Sequence, residues 1–219
     1  DSTSPTGTLH RSLLHEHSVT AGSSLRLSKQ AVFLDRDGVL IEDVDLIVKP
    51  EQVQICDGAL EAINQLNQVG LSVVVVSNQT VVSRGITTEQ NVQSLNTHIQ
   101  DLLSQKGGAV VDRFYTCLHH PNATLPEYRV DCACRKPRPG LLVQAAADLD
   151  IDLKASYMVG DRISDILAGH RAGCTTVLVQ TGKHTEPPIE SPAMDLTIQP
   201  DKICLDLQEA AQWIVNNMA

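Results

Sequence analysis

The chain has 219 residues, which is enough for one α/β domain with a substantial core but cramped for two large domains. Its composition, 42% hydrophobic and 20% charged, is ordinary for a globular protein. The net charge of −9 argues against broad binding to nucleic acid or to anionic membranes, so we expect neither as a partner and expect any anion site to be local.

The N-terminal residues differ in composition from the rest of the chain. Residues 1–29 are rich in Ser, Thr, Leu and His, and they show no clear periodicity. We expect a flexible extension there, followed by one folded domain over residues 30–219. The most hydrophobic run, residues 73–76, is too short to cross a bilayer.

From residue 30 onward, short apolar runs alternate with amphipathic stretches, a pattern typical of βαβ units and a mostly parallel sheet. The strands predicted from these runs are 31–34, 72–76, 113–117, 156–159 and 175–179. The helices predicted from the amphipathic stretches are 57–70, 88–106, 140–149, 163–171 and 205–217, the first with Asp57 as its N-cap.

Polar side chains follow three of the predicted strands. Asp35 and Asp37 leave the first strand on the same side, and Gly38 allows a sharp turn beneath them. The other two exits carry Ser77, Asn78, Gln79 and Thr80, and then Asp161 and Asp165. Each exit alone is also consistent with an acidic turn or an acidic helix N-terminus. Together they predict a ligand site at the carboxyl edge of the sheet, where paired carboxylates suit a divalent cation.

Three of the six cysteines lie in one short segment beside two histidines. The run C-L-H-H-P at 117–121 is followed by C-A-C-R-K-P at 132–137. Three thiolates and one imidazole form a closed tetrahedral set, which indicates structural zinc in a reducing, cytoplasmic compartment. The predicted ligands are Cys117, His119, Cys132 and Cys134. The alternative is a group of free cysteines beside a surface histidine pair.

The chain carries four motifs in this order: D-x-D-G, a Ser, a Lys and G-D-x-x-x-D. In these motifs and in their order, it resembles the haloacid dehalogenase superfamily of phosphohydrolases. The C-x-H-H-P and C-x-C-R-K-P motifs narrow the resemblance to its histidinol-phosphatase and heptose-bisphosphate phosphatase branch, over residues 31–219. This resemblance implies an α/β fold, a Rossmann-like three-layer sandwich with a mostly parallel sheet, no large cap domain and a structural zinc loop. Residues 30–219 would then be the phosphatase domain.

The resemblance also implies a Mg²⁺-dependent reaction through an aspartyl-phosphate. Asp35 would attack phosphorus, and Asp37 would protonate the leaving group and then activate water. Asp35, the Asp37 carbonyl and Asp161 would hold Mg²⁺, with Asp165 in support. A non-catalytic zinc-stabilised interaction module is the competing interpretation, and it would be expected to have lost one of these aspartates.

For the substrate, the resemblance implies that Ser77 and Lys136 bind the transferring phosphoryl group and that Arg135 recognises the rest of the molecule. Arg84 would add charge to this site or lie in a solvated loop. The remaining predicted substrate-binding residues are Asp43, Asn78, Gln79, Thr80 and Arg162.

The expected substrate is a small phosphorylated metabolite. The resemblance favours the 7-phosphate of D-glycero-D-manno-heptose 1,7-bisphosphate, as in heptose synthesis for lipopolysaccharide. Histidinol phosphate or another small phosphate ester is the alternative, because residues 43–46 and 81–82 depart from the branch pattern where its members contact the non-reacting part of the substrate. We expect the protein to act as a monomer.

Overall fold

The computed structural model describes residues 28–185, 195 and 197–218. Nearly all of the predicted N-terminal extension, residues 1–27, lies outside this part of the chain, so that assignment stays a prediction. Among the described residues, no helix is both long enough and apolar enough to span a membrane.

A parallel sheet forms the centre of the molecule. In the described part of the chain it has six strands in the order β3-β2-β1-β4-β5-β6. The strands are β1 (Ala31–Leu34), β2 (Ser72–Asn78), β3 (Arg113–Cys117), β4 (Tyr157–Gly160), β5 (Thr175–Val179) and β6 (Lys202–Cys204). The order reverses between β1 and β4, and open parallel sheets bind ligands at the carboxyl ends of strands beside such a reversal.

Helices cover both faces of the sheet. They are α1 (Ala59–Gln68), α2 (Thr80–Ser83), α3 (Glu89–Gly107), α4 (Gly140–Leu149), α5 (Ile163–Ala172) and α6 (Leu207–Asn216). Buried side chains of α1, α3 and α6 share one core cluster, and those of α4 and α5 share another. The predicted three-layer α/β sandwich is therefore confirmed.

The central strand β1 shows why the apolar runs are continuous. Val32 and Leu34 belong to the core with α1, α3 and α6, while Ala31 and Phe33 belong to the core with α4 and α5. None of the four side chains is exposed to solvent. Because successive residues of a strand face opposite sides, a strand covered on both faces must be apolar at every position.

The structure departs from the predicted elements at four main places. Helix α1 is preceded by Gly58 in a left-handed conformation (φ 74°) and not capped by Asp57, so the predicted cap is wrong. Strand β2 continues through Asn78, which makes Ser77 part of the strand. Strand β6 and the single-turn helix α2 were not predicted, because three or four residues are too few to establish a period.

Candidate active site

The carboxyl ends of β1, β2 and β4 bring the predicted polar residues to one edge of the sheet. Asp35 follows β1, and its amide donates a hydrogen bond to the carbonyl of Val159 in β4 (3.0 Å). Asp161 follows β4, and Ser77 lies near the end of β2 with 2% of its surface exposed. The parallel pairing of these strands therefore places residues far apart in sequence around one point.

Three carboxylates at this point have the arrangement of a cation site. Asp35, Asp161 and Asp165 each present an oxygen, and these oxygens lie within 4.8 Å of one another. Burial, with the neighbouring Asp165 and Asp35 charges adding to it, raises the pKa of Asp161 to about 8. Burial also raises the pKa of Asp165 to about 6. Oδ1 of Asp161 is buried and has no hydrogen-bond partner among the described residues. Buried carboxylates with one unpartnered oxygen fit a Mg²⁺ ion, which prefers oxygen ligands.

The ammonium group of Lys136 lies between two of these carboxylates. Its Nζ is 2.8 Å from Asp35 Oδ1 and 2.7 Å from Asp165 Oδ1. It also donates a hydrogen bond to the carbonyl of Val76 (2.8 Å). Although burial opposes ionisation, the two carboxylates raise the pKa of Lys136, so the amine is charged. Asn78 fixes the lysine backbone through hydrogen bonds with its N–H and its carbonyl.

Asp37 is held by two neighbouring side chains. The guanidinium of Arg36 contacts both carboxylate oxygens, at 3.0 to 3.1 Å. The Gln79 amide donates to Asp37 Oδ2 (2.6 Å) and to Ser77 Oγ (2.7 Å). Burial raises the pKa of Asp37, and the charge of Arg36 opposes that shift. Gln79 was predicted to bind substrate, and here its amide links Asp37 to Ser77.

Two glycines allow the backbone to approach Asp161 closely. A side chain at Gly38 (φ 86°) would place its Cβ 2.7 Å from Asp161 Oδ2. A side chain at Gly182 (φ 57°) would overlap the same carboxylate and lie 2.7 Å from the Gly38 Cα. The amide of Lys183 donates a hydrogen bond to Asp161 Oδ2 (2.7 Å). The loop after β5 thus lies against both Asp161 and the turn that follows β1.

The predicted zinc ligands also come together. Sγ of Cys134 is 3.1 Å from Sγ of Cys117 and 3.2 Å from Sγ of Cys132, and His119 Nδ1 is 3.4 Å from Sγ of Cys134. All three thiols are free, since a disulfide bond would need about 2.05 Å. The pKa of Cys134 is lowered to about 5, although burial opposes this shift. The main cause is its hydrogen bond with Cys117, and hydrogen bonds with His119 and Cys132 add to it. These four groups could hold a tetrahedral metal ion.

A cleft of about 600 Å³ opens above the carboxylates. The predicted site residues on its wall are Asp35, Asp37, Asp43, Ser77, Asn78, Gln79, Thr80, Arg84, Arg135, Lys136, Arg162 and Asp165. Asp161 lies beneath them with none of its surface exposed. The structure therefore assembles the predicted residues around one cavity.

The cleft walls carry two groups of basic residues. On one side, Arg84 and Arg135 lie near His120, and burial together with these two charges lowers the pKa of that histidine. Neither arginine has an acidic partner within the part of the chain that the structure describes. The second group is Arg162 and Lys183, which form ion pairs with the Asp43 carboxylate at 3.4 Å (Arg162 Nη2) and 3.5 Å (Lys183 Nζ).

Sequence reasoning missed four residues of this region. Arg36, Gly182 and Lys183 contact the predicted aspartates, and Asn96 of α3 contacts Arg36. Arg36 stands inside the D-x-D-G motif, and Gly182 and Lys183 follow the predicted strand 175–179 at another strand exit, so their positions in the sequence were an available signal. Asn96 is a single polar residue in an amphipathic helix, and no sequence pattern marks it.

Comparison with known proteins agrees with this geometry. A family model described as HAD-hydrolase-like matches residues 133–210. The D-glycero-beta-D-manno-heptose-1,7-bisphosphate 7-phosphatase of Yersinia pestis is 37% identical over 193 residues, which are 88% of this chain and 93% of that protein. The enzyme of the same name from Pasteurella multocida is 43% identical over 156 residues, covering 71% of this chain and 84% of its own.

One solved structure is similar to this chain over nearly the whole length of the solved protein. It is the crystal structure of the D,D-heptose 1,7-bisphosphate phosphatase of B. bronchiseptica complexed with magnesium and phosphate. The TM-score is 0.73 at 33% sequence identity, and the match covers 85% of this chain and 98% of the other. The sequence comparison and the structure comparison therefore both identify phosphatases of this one group as relatives.

Proposed function

The chain belongs to the haloacid dehalogenase-like hydrolases, in the family of the heptose-bisphosphate phosphatases, and on this premise we propose that it removes the 7-phosphate of D-glycero-D-manno-heptose 1,7-bisphosphate. It is a phosphoric monoester hydrolase that acts on a small phosphosugar. The observation that carries the proposal is the buried group of Asp35, Asp161 and Asp165 with the Lys136 ammonium between two of them.

In the proposed reaction, a carboxylate oxygen of Asp35 attacks phosphorus and the bond from phosphorus to the sugar oxygen breaks. Asp37 gives its proton to that oxygen as the sugar leaves. Asp37 then takes a proton from the water that attacks the aspartyl-phosphate, which releases phosphate and restores Asp35. The raised pKa of Asp37 favours a carboxyl group that can donate and then accept this proton.

Charge around the phosphoryl group comes from Lys136, which is buried beside the Asp35 oxygen. The Ser77 hydroxyl, oriented by Gln79, lies on the same wall and would donate a hydrogen bond to a phosphoryl oxygen. Asp35, Asp161 and the Asp37 carbonyl would hold Mg²⁺, with Asp165 in support. When bound, this ion would neutralise negative charge on the phosphoryl oxygens.

The proposal of a bisphosphate substrate is supported by the Arg84 side of the cleft. A bisphosphate carries a second dianion away from the reacting phosphorus, and this anion needs charged hydrogen-bond donors. Arg84 and Arg135 supply two guanidinium groups on one wall, and they are not neutralised by described acidic residues. A substrate with a single phosphate would leave both unused.

We further propose that Cys117, His119, Cys132 and Cys134 bind structural zinc. The guanidinium of Arg135 donates a hydrogen bond to the His119 carbonyl (3.1 Å), so the cluster supports the arginine that faces the substrate. Thiolate ligands persist in a reducing compartment, which favours a cytoplasmic enzyme.

The test is Mg²⁺-dependent release of inorganic phosphate from a panel of heptose 1,7-bisphosphates, histidinol phosphate and common sugar phosphates. We expect the heptose bisphosphates to have the highest kcat/KM and chelation of Mg²⁺ to abolish turnover. Asp35→Asn should abolish turnover and leave the circular dichroism spectrum unchanged, because it removes the nucleophile and keeps the side-chain shape. A higher kcat/KM for histidinol phosphate would overturn the proposed substrate. Full activity of Asp35→Asn would overturn the proposed mechanism.

A further inference from the structure

A buried arginine separates the two aspartates that the proposed reaction uses. The Arg36 side chain has only 2% of its surface exposed. A buried guanidinium is costly unless it is paired and its donors are used. Its one ion pair within the described residues is with Asp37, and it reaches both oxygens of that carboxylate through Nε and Nη2.

The other side of this guanidinium is held from a distant helix. Nη1 of Arg36 donates a hydrogen bond to Oδ1 of Asn96 at 3.2 Å. Asn96 lies in the middle of α3, and only 8% of its surface is exposed. Within the described part of the chain, no residue of α3 lines the cleft, so Asn96 reaches the site only through Arg36. A polar side chain in the core-facing stripe of a helix usually satisfies a specific partner, and here that partner is Arg36.

Arg36 could instead serve only to neutralise the acidic residues of the site. Its contacts argue against that reading, because its charged hydrogen bonds to carboxylate side chains go to Asp37. The cation beside Asp35 and Asp165 is Lys136. The two basic residues therefore have separate partners, and the partner of Arg36 is the proposed proton donor.

We propose that Arg36 and Asn96 are positioning residues for proton transfer, with Asn96 fixing the Arg36 guanidinium and Arg36 fixing the orientation of the Asp37 carboxyl group. This inference rests on the proposed function. The Gln79 amide donates a hydrogen bond to Oδ2 of Asp37 at 2.6 Å, so two side chains hold the carboxyl group. Proton transfer requires the acid to lie within hydrogen-bond reach of the leaving oxygen, and locked neighbours provide that placement.

The experiment separates the proton-transfer step from the rest of catalysis by changing the leaving group. A sugar alkoxide needs a proton to leave, whereas p-nitrophenolate leaves as a stable anion. First-turnover release of each leaving group is measured by rapid quench for the unchanged protein and for Asn96→Ala. We expect Asn96→Ala to slow release of the sugar by about tenfold, a typical effect of removing a supporting hydrogen bond. Release of p-nitrophenolate and the KM for the phosphosugar should change by less than about twofold.

Matched variants show whether the effect comes from the hydrogen bond. Asn96→Asp keeps an oxygen acceptor for Arg36 and should restore sugar release to within about threefold of the unchanged protein. The control is Thr97→Ala on the same helix, because the Thr97 hydroxyl donates only to the Gln93 carbonyl within its own helix. It should leave both rates unchanged. Arg36→Met, if it folds, should also slow release of the sugar more than release of p-nitrophenolate. The rate of sugar release should fall by about 100-fold.

Equal slowing of both leaving groups in Asn96→Ala, or no slowing of either, would overturn the positioning role. A loss in Asn96→Ala that Asn96→Asp does not restore would also overturn it. These outcomes differ from failure of the proposed function, in which the unchanged protein itself would not release the sugar.

Discussion

Asp161 is a fully buried carboxylate whose two oxygens have different surroundings. Oδ2 accepts a hydrogen bond from the Lys183 amide, while Oδ1 has no partner among the described residues. Burial, then the charges of Asp165 and Asp35, raise its pKa from 3.8 to about 8. In the absence of a cation, the folded protein therefore binds a proton that the unfolded chain releases.

The pH dependence of stability follows from the sign of this shift. Because the folded-state pKa lies above the unfolded value, the stabilising contribution is complete below about pH 4 and is lost as the pH rises through about 8. We expect the Tm of the metal-free protein to fall between about pH 5 and pH 8, and Mg²⁺ to raise Tm more at the upper end. Calorimetry with and without Mg²⁺ measures both effects. An equal Mg²⁺ effect at every pH would contradict this account, and Asp161→Asn should reduce the pH dependence.

Gly182 allows the loop after β5 to pass beside Asp161. In Gly182→Ala, the added methyl group would overlap the Asp161 carboxylate and lie 2.7 Å from the Gly38 Cα. We expect the variant to need about tenfold more Mg²⁺ for half-maximal activity, because displacing one ligand weakens the cation site. Titration of activity against Mg²⁺ concentration measures this change.

The matched control for this substitution is Gly70→Ala. Gly70 also has a left-handed conformation (φ 82°), but an added Cβ there would meet nothing within 4 Å. It should lower stability by about 1 kcal/mol through backbone strain and leave the Mg²⁺ requirement unchanged. If both variants shift the Mg²⁺ requirement equally, the close approach to Asp161 is not the cause.

At the scale of elements, the segment between β3 and α4 delivers two cationic residues to the cleft. It contains three of the four proposed zinc ligands, and its only regular element in the structure is a short 3-10 helix, Pro126–Tyr128. Arg135 is tied to the cluster through the His119 carbonyl, and the Lys136 backbone is tied to Asn78. On the proposed ligand assignment, a bound zinc ion would stabilise this largely irregular segment.

Removing one proposed zinc ligand tests that role. Cys132→Ser should abolish zinc binding, measured by elemental analysis, and raise the KM for the phosphosugar by about tenfold because Arg135 loses its support. It should leave the overall fold intact, because Cys132 lies outside the helices and strands of the domain. Cys174→Ala, which removes a buried thiol elsewhere, should keep both zinc and KM unchanged. If the unchanged protein contains no zinc, the ligand assignment is contradicted.

The elements themselves were largely predictable, because helices and strands with full periods leave clear patterns. The bounds of β1, β3, α4 and β5 agree with the predicted ones. The convergence of the strand exits was also predictable, since neighbouring parallel strands end at the same edge of the sheet, but the strand order was not predicted. The three-residue β6 could not be predicted, as its pairing with β5 depends on the finished sheet.

The geometry of the site was predictable only in part. The spacing of Asp35 and Asp37 and the exit at Asp161 were sufficient to expect a cluster of carboxylates. The position of Lys136 required the family resemblance, because it lies far along the chain in an irregular segment. The motif placed Arg36 near the site, but its contact with Asp37 could not be predicted, since strand alternation points successive side chains to opposite sides.

At the scale of the whole molecule, the net charge of −9 opposes the approach of an anionic substrate. The cleft counters this with a local pair of basic side chains, Arg84 and Arg135, whereas Arg162 and Lys183 contact the Asp43 carboxylate. Because the general field is screened over about 8 Å at physiological salt, the local arginines determine affinity. His120 between them is mostly neutral near pH 7, as burial and both arginines lower its pKa.

This arrangement predicts that Arg84 discriminates a bisphosphate from a monophosphate. Arg84→Gln should raise the KM for heptose 1,7-bisphosphate by about tenfold, the loss of one charged hydrogen bond, and change the KM for a monophosphorylated sugar by less than about twofold. Steady-state kinetics on both substrates measure the difference. Lys106→Gln removes the same charge from the exposed end of α3 and should leave both KM values unchanged. If Lys106→Gln raises the two values as much as Arg84→Gln does, net charge governs binding; if Arg84→Gln affects both substrates equally, Arg84 does not contact the second phosphate.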